Sequence, residues 1–262
     1  MDENRIHDPR KVTQAFPDPN LLDFRVLRNL LCLEKTQLAR RVPFCQWPQQ
    51  EVTMKMMQVL SQWLLEVCEH QQCEEGVYQL CLCLLCTYMS MSPVKIRQLQ
   101  RLGSVCLFLA SKMRDLVPIT VEKLCMYTDY SVTAQKIMTW ELLVLSKLHW
   151  NLVAVVPDDF LEHILVYLQL WQWLKLIRRH AQTYIVLCTV DYSFYTYGPS
   201  VVAASSVVAA VFGLGLLPRS GTGVDLILNV AALIEADSDN LRKCQEMMEI
   251  AFANTLHGTR PL

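Results

Sequence analysis

The residue types able to do covalent or acid–base chemistry are present in this chain but are not arranged to do it. Cys83 and Cys86 form a C-x-x-C pair, the spacing that a zinc ion or a redox dithiol uses. No second pair and no neighbouring His motif completes a metal site. The six histidines, among them His149, His163 and His180, fall in unrelated segments with no Ser or Cys elbow beside them. Asp158 and Asp159 open a predicted helix, where carboxylates are favoured by the macrodipole, and read as helix punctuation. No Gly-rich phosphate loop occurs. The residues therefore give no catalytic set, no metal and no cofactor, and point to a chain that acts through its surfaces.

Those surfaces must be built from long elements. The chain has 262 residues, of which 52 % are hydrophobic and 19 % charged, a balance that favours a large packed interior and argues against disorder. Only 8 glycines and 11 prolines interrupt it, so long apolar stretches read as helices more than as many short strands. The formal net charge is −1, with Arg40–Arg41 and Arg178–Arg179 as the tight basic pairs, which argues against nucleic acid as a partner. The 11 cysteines are odd in number and sit mostly in apolar helical text. With a polar start, MDENRIHDPRK, they read as free thiols in a reducing compartment. The longest uncharged run, Ser200 to Pro218, holds Ser205, Ser206, Gly213 and Gly215. It reads as a small-residue helix buried on all sides and not as a membrane span.

Residues 1–19 read as a flexible lead-in. Residues 20–49 form an N-terminal unit: Leu22, Val26, Leu27, Leu30 and Leu31 make an amphipathic helix over Leu21–Lys35, and Pro43 and Pro48 a loop. Five helices are then predicted within 50–152, over Gln50–Glu69, Glu74–Tyr88, Val94–Met113, Val121–Tyr127 with Thr120 as N-cap, and Val132–Leu148. A second set occupies 153–256, over Asp158–Leu170, Leu174–Val190, a helix with Pro199 at its first position, Val224–Glu235 and Ser238–Leu256. A short tail, 257–262, follows. GSVCLFLAS at 103–111 and SVVAASSVVAA at 200–210 are both small, apolar and central in their sets. Each predicts a hub helix that four others can surround closely.

The strings MMQVLSQWLLEV (56–67), LASKMRD and WELLVLSKLHWNL resemble the first, third and fifth helices of a cyclin box. LLDFRVLRNLLCLEK, LEVCEHQQCEEGVY, LFLASKMRDLVPITVEKLCMYTD and RRHAQTYIVLC are similar, in order and spacing, to the D-type cyclins. The chain ends at GTRPL without the acidic, proline-containing tail of the cellular proteins, and in this is most like the D-type cyclins encoded by gammaherpesviruses. The resemblance runs from about residue 20 to 256. It implies an all-α fold of two tandem five-helix cyclin-box bundles preceded by an N-terminal helix. It also implies a non-enzymatic regulatory subunit that binds a cyclin-dependent kinase as a heterodimer, activates it and promotes cell-cycle progression in the nucleus and cytoplasm of the host cell. No nucleic acid or membrane partner is implied. An adaptor of the same fold that docks peptides, or acts in transcription, without activating a kinase stays open as an alternative.

The resemblance also assigns residues. Lys112 and Glu141 match the family's signature charges, which meet beneath the kinase's mobile helix. Met113, Leu145, Leu148, Trp150 and Leu152 are their apolar neighbours, with core and interface both open for Leu145 and Leu148. Met56, Val59, Leu60 and Trp63 match the patch that receives Arg-x-Leu peptides of substrates and inhibitors, with Glu66 and Gln100 as its polar rim. An Arg–Asp pair usual in the family is replaced at both positions, by Met57 and Cys86. Loss of both charges together is compatible with an intact fold. Thr87 stands for a usual Arg and Arg101 for a usual Leu, so peptide preference is expected to differ. Leu30, Cys32 and Glu34 form the L-x-C-x-E that retinoblastoma-type proteins bind as an extended peptide. Here it falls within a predicted helix that would have to melt first. Retinoblastoma-type proteins are also expected as kinase substrates.

Overall fold

A computed structural model describes residues 18–216 and 223–258. The expected lead-in at 1–17, the end of the uncharged run at 217–218 and the tail beyond 258 lie outside the described residues. Eleven α-helices account for most of what is described, and no strand occurs there. The N-terminal helix α1 (Phe24–Ala39) is capped by Asp23, whose Oδ1 accepts the Arg25 N–H at 2.8 Å. It starts later than the leucine spacing predicts because Pro19–Leu22 forms a separate 3-10 turn, and it continues a turn past Lys35.

The first bundle comprises α2 (Met54–Gln71), α3 (Val77–Met91), α4 (Ile96–Arg114), α5 (Val121–Tyr127) and α6 (Ala134–Lys147). Thr53 and Thr120 cap α2 and α5 through their hydroxyls, as threonine does where the backbone is still extended. Every residue from Leu102 to Ser111 of α4 is buried, and α2, α3, α5 and α6 all contact it. The second bundle repeats the plan with α7 (Pro157–Leu168), α8 (Leu174–Val190), α9 (Pro199–Gly213), α10 (Gly223–Leu233) and α11 (Ser238–Gly258). Here α9 is the hub, buried from Pro199 to Val211 and flanked by α7, α8, α10 and α11. Small side chains at Ala203, Ala204, Ala209 and Ala210 permit that close approach. The hub hydroxyls are satisfied: Ser205 Oγ donates to Leu241 O at 3.0 Å and Ser206 Oγ to Val202 O at 2.7 Å, as buried polar groups require.

Each bundle has its own core. The N-terminal helix belongs to the second, where Leu27 and Leu31 are buried against α7 and α9. Glu34 follows them on the same face, and its Oε1 accepts the Ser200 N–H at 2.7 Å. Gly198, at the N-cap of α9, has no side chain to do this, so α1 supplies the cap from a distance in sequence. Desolvation raises the Glu34 pKa, opposed by that hydrogen bond.

Polar contacts join the bundles. Arg114, at the end of α4, donates to both carboxylate oxygens of Asp159 on α7, at 2.8 and 3.0 Å. Gln37 of α1 crosses too, its Nε2 donating to Cys83 Sγ on α3 at 3.6 Å. Gln79 Oε1 accepts the Asp158 N–H at 3.1 Å. Gly76, which opens α3 at φ 83°, leaves room for the strap, since a Cβ there would come within 2.7 Å of Arg114 Nη1. Asp158 itself has a buried Oδ1 with no hydrogen-bond partner. Burial, then the nearby charges of Glu75 and Asp159, raise its pKa to about 6.

Two stability measurements check this account. Replacing Glu34 with Ala orphans the Ser200 N–H and should cost about 1–2 kcal/mol, a fall of about 2–4 °C in Tm per kcal/mol in a thermal scan, whereas Glu34→Gln, which keeps an acceptor, should lose less. Because the folded pKa of Asp158 lies above its unfolded value, ionisation weakens the fold as pH rises from about 4 through about 6. Urea unfolding should therefore find Asp158→Asn more stable than wild type at pH 7.5, by on the order of 2 kcal/mol, with the advantage gone at pH 4.

Candidate functional site

The C-terminal turn of α4 is where the first bundle's buried hub reaches solvent. The helix stops at Arg114, because Asp115 is already extended and Pro118 follows. Lys112 leaves this last turn, where a cation complements the helix dipole, and its Nζ lies 2.5 Å from Glu141 Oε1 on α6. The same ammonium sits 4.0 Å from the centroid of the Phe108 ring, one turn earlier on α4, a cation–π geometry. The two partners are unequally placed: the Glu141 side chain is 12 % exposed and that of Lys112 41 %. The carboxylate is thus held in the wall of the bundle while the ammonium keeps donor positions facing outward. Such a pair is a structural ion pair and a presented hydrogen-bonding group at once.

Apolar side chains surround it. Met113 is exposed and Trp150 is 68 % exposed, while Leu152 is half-buried. Leu145 and Leu148, at 8 % and 5 % exposure, lie in the core of the first bundle beneath the pair. Four further exposed apolar residues that sequence reasoning did not single out lie close to the pair along the chain: Leu116 and Val117 in the loop after α4, and Met138 and Leu142 on α6. A signal for the last two existed. The core face of α6 is completed by Ile137, Glu141, Val144 and Leu145, so the further i, i+4 pair of Met138 and Leu142 is more apolar surface than one buried face needs. Arg114 was missed as well, since its partner Asp159 lies 45 residues away.

The second set falls on α2 and α4. Met56, Val59, Leu60, Trp63 and Glu66 recur at helical spacing along α2. Leu60 is buried, Met56 and Trp63 are half-buried, and Val59 and Glu66 are exposed. Leu60 sinks because it packs on Gly103 of α4, where a Cβ would come within 2.9 Å of Leu60 Cδ1. Gln100, three residues before that glycine, is exposed, and its Oε1 accepts the Ser131 hydroxyl at 3.4 Å. Arg101 turns its guanidinium over the Trp140 ring at 5.1 Å. The two replaced positions, Met57 and Cys86, are buried. Tyr192, from the segment after α8, reaches this region: its hydroxyl lies 3.2 Å from Ser61 Oγ and 4.0 Å from Cys86 Sγ.

The remaining candidates do not form a reactive centre. A cavity of about 330 Å³ between the bundles is lined by Gln37, Arg41, Cys83, Cys86, Tyr192 and Tyr195, among others. Burial raises the Cys83 thiol and pushes that of Cys86 up to about 12, far from the thiolate a nucleophile needs. Among the described residues no cluster of His, Cys, Asp and Glu is disposed to hold a metal, and no helix is long and apolar enough to cross a membrane. The L-x-C-x-E residues lie in α1 with Glu34 buried as the cap of α9.

Comparison with known proteins agrees with this architecture. The profile of the cyclin N-terminal domain matches residues 25–153, and that of the cyclin C-terminal domain residues 155–259. The chain is 45 % identical to the chicken G1/S-specific cyclin-D2 over 260 residues, 97 % of this chain and 87 % of that protein. It is 45 % identical to human G1/S-specific cyclin-D3 over 256 residues, 97 % of this chain and 85 % of that one. In fold it is similar to the X-ray structure of a viral cyclin from herpesvirus saimiri, with a TM-score of 0.73 at 22 % identity, covering 88 % of this chain and all of the other. With two such bundles in tandem, a paired lysine and glutamate at the mouth of the first hub and these matches over nearly its whole length, the chain belongs to the D-type cyclin family, the non-catalytic regulatory subunits of cyclin-dependent kinases.

Proposed function

We propose that the apolar rim around Lys112 and Glu141 captures the mobile regulatory helix of a cyclin-dependent kinase and holds it in the active position, promoting the G1/S step named for the chain's relatives. One observation carries this reading: a half-open ion pair, rooted in a buried helix, on segments that also carry exposed Met113, Leu116, Val117, Met138, Leu142 and Trp150. An exposed apolar patch of this kind marks an interaction site, and a few oriented polar groups at its centre set the register of what docks. Lys112 donates outward to backbone carbonyls of the captured helix, and Glu141 keeps the lysine aimed. Leu145 and Leu148 support the surface from below, and Leu152 at its edge. Once captured, the kinase helix supplies the Glu that pairs with the ATP-binding Lys.

The α2 stripe serves a second task in this reading. Val59 and Trp63 above a floor of Leu60, with Met56 at one end, receive the Leu of Arg-x-Leu segments, and Glu66 and Gln100 receive the Arg. Substrates of the retinoblastoma type would be brought to the kinase by this route, in the nucleus and cytoplasm of the cell. The L-x-C-x-E of α1 has no part in it, because exposing Glu34 would uncap α9.

Lys112→Glu places two carboxylates at the centre of the rim and should weaken kinase binding by about 3–5 kcal/mol, with an unchanged circular-dichroism spectrum. A folded variant that binds and activates kinase as wild type does would overturn the assignment. For the second surface, Trp63→Ala should raise KM at least tenfold for a substrate carrying Arg-x-Leu, with kcat unchanged. Steady-state phosphorylation of a matched peptide lacking the motif is the control and should not respond.

A further inference from the structure

The turn that ends α2 brings two thiols together that the functional surfaces do not use. Gln72 adopts the left-handed conformation, φ 53° and ψ 47°. The Cys73 N–H then donates to Cys68 O and the Gln72 N–H to Glu69 O, both at 3.0 Å. This double bond pattern is a Schellman ending, in which the side chains of the first and last residues pack on each other across the turn. In most proteins apolar residues fill those two positions; here both are cysteines. Cys68 is 6 % exposed, inside the first core, and Cys73 is half-buried at its margin. The Cys73 thiol is also the largest single cause of the raised pKa of Cys68, through a side-chain hydrogen bond. A direct backbone hydrogen bond between the two residues keeps their Cα atoms within the about 4.4–6.8 Å that a disulfide spans.

We propose that Cys68 and Cys73 are a peroxide-sensitive pair that closes to a reversible disulfide within the native turn. Cys73 is the sulfur that oxidant reaches. Its thiolate attacks one oxygen of hydrogen peroxide, the O–O bond breaks, and the products are a Cys73 sulfenic acid and, after protonation, water. The Cys68 sulfur then attacks the sulfenic sulfur, the S–O bond breaks, and the hydroxide leaves with the Cys68 proton as a second water. Two thiols are oxidised and one peroxide is reduced. Burial slows the second step by keeping Cys68 protonated, while the short span across the turn favours it, so closure competes with further oxidation of Cys73. Next in the chain, the Glu74 N–H donates to Asp115 Oδ1 at 2.7 Å, which ties the turn to the end of α4.

The sequence between the sulfurs makes the test clean. Cleavage after Glu66, Glu69 and Glu74 places Cys68 and Cys73 in separate short peptides, 67–69 and 70–74. Full-length protein is treated with hydrogen peroxide, blocked with an alkylating agent, digested without reductant and analysed by mass spectrometry. The expected product is the two peptides joined, 2 Da below their sum, released by dithiothreitol. In Cys68→Ala, checked for folding by circular dichroism, Cys73 should instead advance to the sulfinic acid. Full alkylation of Cys73 after peroxide, its conversion to sulfinic acid in the wild type, or a bridge from Cys68 to Cys81 would each overturn the proposal.

Discussion

A helix buried on every side cannot shift without disturbing all of its neighbours, and the surface proposed to meet the kinase grows from the end of such a helix. From Leu102 to Ser111 every residue of α4 is buried. Interiors packed to crystal-like density resist small displacements, so the one turn that emerges, Lys112 to Arg114, is held to the position the core allows. Three polar contacts then fasten it from outside: Glu141 to Lys112, Asp159 to Arg114, and the Glu74 N–H to Asp115. A surface that must impose a conformation on a mobile partner needs this stiffness, because a compliant one would deform and share the cost of ordering.

The electrostatics of the turn follow from the same arrangement. A lone lysine at that exit would be free to swing. The Glu141 carboxylate and the Phe108 ring restrict it from two sides, and the C-terminal end of the helix dipole favours its charge. The glutamate is the buried partner, so removing the lysine would strand a carboxylate in the wall of the bundle, whereas the solvated lysine tolerates the loss of glutamate better. The second bundle contributes through Arg114 and Asp159. Its hub, in turn, is capped by Glu34 of the N-terminal helix, so that the two halves and the leading helix form one connected scaffold behind a single turn.

Much of this was legible in the chain. The eleven helices follow from the spacing of apolar residues and from caps and breakers such as Thr120, Pro157 and Pro199, which act locally. The hub helices were readable because small residues on all faces leave no alternative to burial. What surrounds Lys112 was less so. The resemblance placed Leu145 and Leu148 beside it without saying whether they face in or out, and they face in. Met138 and Leu142 were overlooked because an apolar residue on an amphipathic helix reads by default as core. The L-x-C-x-E match shows the same limit from the other side: three correct letters say nothing about Glu34 lying under α9.

By itself the sequence determined the all-helical class, the doubled plan and, through the family resemblance, the identity of the charged pair. The first two depend on residue type and on separations of a few positions, over which backbone geometry is nearly fixed; the charged pair, 29 residues apart, was assigned by the resemblance to a known family. Only the tertiary structure decided that α1 belongs to the second bundle, that Arg114 straps the two halves, which leucines are floor and which are rim, and that Cys73 faces Cys68 across the end of α2. These are contacts between surfaces, or the aim of a turn. They are set by how whole helices settle against each other, where many weak dispersion and burial terms compete and no single residue announces the result.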